Sequence, residues 1–169
     1  MIRLFTVFLA ASIALAACQP SQPRIGADGK PLPRAYKIGA GDTSEVQFRM
    51  LDSVNALRNS AGLVQVELES RLTAAAATHS RDMQVQNRPW HFGSDASSPL
   101  DRVRRVGYTG ELIGEVISET YETELETLGA WMAQPDTRRI IMAPDARQMG
   151  FSWFQEPNGK IWWTLVMGG

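Results

Sequence analysis

From residue 43 onward the apolar positions fall into patterns that name successive elements. Val46, Met50, Val54 and Leu57 recur at steps of four, four and three, which puts them on one face of a helix that begins at Thr43 and is ended by Gly62. Val64, Val66 and Leu68 alternate, the pattern of a short extended piece. Leu72, Ala75, Ala76, His79 and Met83 share one face of a second helix, from Ser70 to about Gln86, whose run of four alanines permits close packing. Ser98 as N-cap, Pro99 at the first helical position, Asp101 in the first turn, Arg104 and Arg105 in the last and Gly107 at the exit predict a short third helix. Residues 112–118 read as a strand. Thr123 and Glu126 make a capping box for a helix whose Leu125, Leu128 and Met132 face inward until Pro135 stops it, with Asp136 capping one further short turn. Two aromatic-rich extended runs, 150–155 and 161–167, are joined by Pro157-Asn158-Gly159, a hairpin signal. Helices interleaved with a few strands and closed by a hairpin predict an α+β sandwich, with no internal repeat.

The first 42 residues follow another pattern. Arg3 supplies a short basic start, residues 4–14 are almost wholly apolar, and Leu15-Ala16-Ala17 brings small residues up to Cys18, the arrangement of a lipoprotein signal peptide over 1–17. The apolar run is too short to span a hydrocarbon core of about 30 Å. Cys18 is the only cysteine, so disulfides within the chain are excluded and its expected role is to carry the acyl chains that hold the protein to a membrane. Gln19 follows it where an aspartate would signal inner-membrane retention; the expected location is extracytoplasmic, on the outer membrane facing the periplasm in a Gram-negative source. Residues 18–42 are rich in Pro, Gly, Ser and Gln, the composition of a flexible linker, which leaves 43–169 as one domain. The 17 Lys and Arg nearly balance 18 Asp and Glu, so composition points to no nucleic-acid partner.

Several segments of the domain, in order, resemble the CAP superfamily of cysteine-rich secretory, antigen 5 and pathogenesis-related proteins, in particular its bacterial members. They are Val54-Asn55-Ala56-Leu57-Arg58 with Gly62; Leu72, Ala75 and Ala76 leading to His79-Ser80-Arg81-Asp82-Met83; His91-Phe92-Gly93-Ser94-Asp95-Ala96-Ser97-Ser98-Pro99 with Arg102 and Gly107-Tyr108; Gly114-Glu115-Val116-Ile117; Trp131-Met132 with Pro135 and Arg138; and Gly150 with the final Trp-rich strand. The resemblance implies a three-layer α-β-α sandwich with a cleft, where two histidines and two acidic residues bind zinc in some members. His91 and Glu115 match two of those positions. The other histidine falls on Thr137 and the other acid on Gln134, and Val116 replaces the asparagine that follows the glutamate. The implied cleft therefore consists of His91, Glu115, Gln134 and Thr137, and with half the tetrad missing no stable zinc is expected.

The chemistry available is correspondingly limited. A zinc site needs three or four N, O or S ligands, and the chain has two histidines. His79, on the apolar face of its helix, is expected to be a core histidine with a satisfied hydrogen bond; whether it meets His91 is left to the fold. His91 follows Trp90 in a polar loop, and its candidate partner is Glu115. Glu126 is accounted for by its capping box. Ser94, Ser97 and Ser98 stand near His91, with Asp95 and Asp101, yet no nucleophile-elbow pattern surrounds them and Ser98 serves better as an N-cap. Trp131, Trp153, Trp162 and Trp163 are expected in the core, with strand alternation turning some of them outward, where they could line a groove. The expected function is a membrane-tethered binding or interaction module with a cleft around His91 and Glu115, taking a lipid, a small molecule or an envelope protein. The alternatives are a metal-assisted hydrolase that uses the same two residues, and a passive structural lipoprotein.

Overall fold

The computed structural model describes residues 36–169, so the leader, Cys18 and most of the expected linker lie outside the described residues. Helices form where apolar spacing and capping signals put them, α1 (Thr43–Ser60), α2 (Ser70–Gln86), α3 (Pro99–Arg105) and α4 (Glu124–Ala133), and the expected further turn is a seven-residue helix, α5 (Pro135–Ile141). Four strands, β1 (Glu67–Leu68), β2 (Leu112–Thr120), β3 (Gln148–Gln155) and β4 (Ile161–Gly168), make one sheet in the order β1-β3-β4-β2. β4 runs antiparallel between β3 and β2, and the two-residue β1 pairs parallel to β3.

Every residue of β4 is buried, which requires cover on both faces of the sheet. Trp163, Leu165 and Met167 pack with Val46, Met50 and Val54 of α1 and with Leu128 and Trp131 of α4. Val166, on the opposite face, packs with Leu72, Ala75 and Ala76 of α2 and Val103 of α3. The molecule is thus a three-layer α-β-α sandwich of α+β class. The alanine-rich face of α2 lies directly on the sheet: a Cβ on Gly150 of β3 would sit 2.1 Å from the carbonyl carbon of Leu72, so only glycine fits.

Some expectations change. No tryptophan of β4 faces outward: Trp162 and Trp163 are both fully buried, Trp131 is nearly so and Trp153 packs against the core. A central strand covered on both faces has no solvent side. Leu125 is 43% exposed, because α4 is rotated so that Glu124, Thr127, Leu128 and Trp131 point inward. Asp136 is not a cap; Gln134 is the N-cap residue of α5 and Pro135, which ends the preceding helical pattern, also starts α5. The packed chain starts earlier than residue 43. The Tyr36 amide donates to the Tyr121 carbonyl and the Ile38 amide to Gln155 Oε1, and both side chains pack on the core.

The end of α1 is tied to the rest of its layer by Arg58, which is fully buried. Its Nε donates to Val64 O at 2.8 Å, Nη1 to Ile141 O at 2.8 Å and Ala143 O at 3.1 Å, and Nη2 to Ala146 O at 3.1 Å. Among the described residues no carboxylate pairs with it; backbone carbonyls alone stabilise the charge. Arg58→Met would leave those carbonyls without their donor, and urea denaturation should show a loss of about 3 kcal/mol or more.

Candidate functional site

Glu115 lies on β2, an edge strand, opposite Val166 of β4. Val116 points into the α1/α4 core, so by strand alternation Glu115 points to the α2/α3 face. A register irregularity between Leu112 and Gly114 stands just before it, where a bulge can re-aim the following side chain. Arg102 comes from α3. The capping box of Ser98 with Asp101, and Pro99 in the first turn, fix where that helix begins. A helical side chain leans toward its own N-terminus, and Arg102 accordingly reaches Ser97 O at 2.9 Å and His91 O at 3.0 Å.

The two meet as a buried ion pair. Arg102 Nη2 donates to both carboxylate oxygens of Glu115, at 2.9 and 2.8 Å, and each side chain is only 2% exposed. The two histidines also converge here. His91 Nδ1 stands 3.0 Å from Glu115 Oε1, and His79 Nε2 stands 3.5 Å from the same oxygen. A carboxylate only accepts, so His91 carries its proton on Nδ1 and donates. His79 Nε2 lies 2.9 Å from Trp90 O, and by the same reasoning His79 is the Nε2–H tautomer. It is the fully buried core histidine expected, although its Nδ1 finds no partner. The His91 side chain, by contrast, is 50% exposed.

The loop that carries His91 is tightly folded. A Cβ on Gly93 would lie 2.6 Å from Ser97 Oγ, 2.8 Å from Asp95 Oδ1 and 2.9 Å from Asp82 Oδ2, so the close approach of these oxygens requires glycine. Ala96 takes φ 63°, a left-handed conformation costly for a residue with a Cβ.

The remaining implied residues are used otherwise. Thr137 Oγ1 donates to the carbonyls of Trp131 and Gln134, and Gln134 joins α4 to α5; no hydrogen bond among the described residues links either to His91 or Glu115. Ser94 donates to Asp82, and Ser98 is the N-cap. Neither forms the hydrogen bond to His91 that an activated nucleophile would make.

The donor set does not fit zinc. Both Glu115 oxygens are occupied by a guanidinium, His79 Nε2 is held by a carbonyl, and a cation would have to displace a group that stays protonated at every physiological pH. Among the described residues no cluster of three or more His, Cys, Asp or Glu has ligating geometry. Arg102 as the partner of Glu115 was the feature least visible in the sequence, where it stood as a residue of the resembling segment with no role in the cleft. What the arrangement offers instead is a half-exposed imidazole whose Nδ1–H is fixed by an immobile carboxylate, leaving Nε2 as an acceptor.

Burial holds the His79 pKa below its ordinary value despite the nearby Glu115 charge. Burial alone would raise that of Glu115, but the hydrogen bond from His91 and the charges of His79 and Arg102 reverse the direction and hold it low. Both shifts have one sign for stability. The unfolded chain binds protons that the folded chain refuses, so stability is full above the ordinary histidine value of 6.5 and falls with pH below it. Glu115 adds its loss only at lower pH, as its depressed folded value is approached. Urea midpoints should decline from pH 6.5 downward, and His79→Gln should remove the first part of that decline.

The comparisons with known proteins agree with this fold. The family model described as CAP, the cysteine-rich secretory protein family, matches residues 51–167. A curated relative, the uncharacterized protein YkwD of Bacillus subtilis, is 26% identical over 125 residues, which is 74% of this chain and 48% of the relative; the chain thus spans about half the length of that protein. Among solved structures, an outer surface protein from Borrelia burgdorferi superposes with a TM-score of 0.70 at 16% identity, covering 80% of this chain and 98% of its own. An extracellular protein containing an SCP domain from Bacillus anthracis gives 0.68 at 17% identity, over 78% of this chain and 44% of that one. No helix among the described residues is long and apolar enough to cross a membrane. The matched region runs from α1 to the last strand and takes in the whole His91 site, and the chain belongs to the CAP, or cysteine-rich secretory protein, family.

Proposed function

We propose that this chain is an extracytoplasmic, lipid-anchored CAP domain that acts as a binding or interaction module, presenting His91 on its surface and holding no resident zinc. The observation that carries the reading is the His91–Glu115 hydrogen bond of 3.0 Å, made to a carboxylate that Arg102 already neutralises. A ring fixed in this way keeps one nitrogen for a ligand N–H or O–H without losing free energy to reorientation. The ligand is a lipid, a small molecule or an envelope protein, and the membrane is reached through acylated Cys18. The names of two structural neighbours, an outer surface protein and an extracellular protein, support a place outside the cytoplasm. The fold alone does not choose a ligand.

Two experiments test the two halves of this reading. Cells fed labelled palmitate should incorporate it into the wild-type chain and leave Cys18→Ala unlabelled and released from the membrane fraction; a membrane-bound, unlabelled wild type would remove the anchor from the proposal. Calorimetric titration of the full chain in detergent with zinc chloride should give no stoichiometric binding, and His91→Ala should change nothing. Stoichiometric zinc that is lost on that substitution would instead support the metal-assisted hydrolase, in which the bound ion polarises water.

A further inference from the structure

Three consecutive backbone carbonyls, those of Trp90, His91 and Phe92, are each taken by a side chain from a helix. His79 of α2 donates to Trp90 O at 2.9 Å, Arg102 of α3 to His91 O at 3.0 Å, and Gln86 of α2 to Phe92 O at 3.1 Å. Gln86 reaches the loop twice, because its Oε1 also accepts from the Trp90 indole at 2.8 Å. The Trp90 ring is further held between Phe92, at 5.6 Å between centroids, and the Arg88 guanidinium, 4.1 Å above it. Such bonding is unusual for an exposed loop, whose carbonyls would otherwise be satisfied by water. Its effect falls on the residue in the middle. With the peptide on either side of His91 fixed, its ring has few orientations left, and the one adopted sets Nδ1 against Glu115 while half the side chain stays in solvent.

We infer that Gln86 is a positioning residue for His91, acting through its two neighbours, the Trp90 indole and the Phe92 carbonyl, while His79 and Arg102 hold the two peptides of His91 itself. None of the three touches the outward nitrogen of His91: His79 and Arg102 fix the two peptides that His91 itself forms, and Gln86 holds the residue on either side of it, Trp90 by its indole and Phe92 by its carbonyl. This inference rests on the reading of His91 as the presented group, but its test does not depend on any ligand. Gln86 is suited to the role because it is the last residue of α2 and half-buried, so that its amide donates both to Asp82 O of its own helix, at 3.3 Å, and to the loop beyond. It also explains His79 without a metal: its Nε2–H is occupied by a backbone carbonyl.

The chain has two histidines, and the geometry gives them opposite tautomers, Nε2–H for His79 and Nδ1–H for His91. Imidazole nitrogen shifts of the full chain in detergent, labelled at histidine, therefore read the site directly. In the wild type His91 should be predominantly the Nδ1–H form at neutral pH. In Gln86→Ala the ratio of Nδ1–H to Nε2–H at His91 should fall by about threefold to tenfold, the factor that one weakened hydrogen bond commands, while His79 keeps its tautomer. Gln86→Glu keeps an acceptor for the indole and loses the donor to Phe92 O, so it should behave as Gln86→Ala. Val85→Ala, one position away and 67% exposed, should leave the ratio unchanged. An unaltered His91 ratio in Gln86→Ala overturns the inference, and a wild-type ratio in Gln86→Glu overturns the assignment to the carbonyl. A zinc-binding result in the titration above would refute the proposed function and leave this measurement standing on its own.

Discussion

The whole architecture depends on keeping β4 dry. All eight of its residues are buried, and a strand in that condition needs apolar cover on two sides, a partner strand on each edge and no tolerance for a slip in register. Its odd-numbered residues face α1 and α4, its even-numbered residues face α2, and the two cores that result share no side chain of β4. The constraints spread outward from there. Gly150 must lack a Cβ for α2 to reach the sheet, and Thr164, the polar residue in the middle of the strand, is matched by the Ser80 hydroxyl at 2.9 Å. β2 is held on one edge only, which leaves Glu115 close to the rim of the sheet and within reach of a loop.

Two buried arginines then fasten the layers, by different means. Arg58 is neutralised by the partial charges of four carbonyls and, among the described residues, pairs with no carboxylate. Arg102 is paired with Glu115 and also binds two carbonyls of the loop before its own helix. A buried ion pair of this kind gains little over an apolar substitute, but losing one partner is costly because the other charge remains. The pair therefore acts as a fixed point. Its cation neither leaves nor deprotonates, and it presents to His91 a carboxylate of fixed position.

The cost of this arrangement is visible around the same loop. His79 Nδ1 and Arg102 Nε are buried without partners, each worth about 1–3 kcal/mol of lost stabilisation, and Ala96 holds a backbone conformation better suited to glycine. Two further buried atoms without partners, Glu124 Oε2 and Thr127 Oγ1, lie on α4, but only at the His91 loop do such atoms stand beside a strained backbone, which marks it as a place where stability has been given up for geometry. The apolar cores on either side of β4 supply the margin that tolerates it.

The sequence by itself determined the elements, because helical and strand periodicity are local properties: the spacing of Val46, Met50 and Val54, the capping boxes at Ser98 and Thr123 and the Asn158-Gly159 turn each act within a few residues. It also determined the pairing of His91 with Glu115, through the resemblance that put both in one cleft. Tertiary structure decided what no local pattern contains. Whether a strand is central or at an edge fixes the burial of Trp162 and Trp163 together, and the rotation of α4 exchanges Leu125 for Glu124 on the inward face, where Arg49 meets it at 2.7 Å. The convergence of His79, His91 and Arg102 on one carboxylate depends on three elements separated in sequence but adjacent in space. The same is true of the Gln86 contact with the His91 loop, since a glutamine at a helix end has no sequence signature until the chain returns beside it.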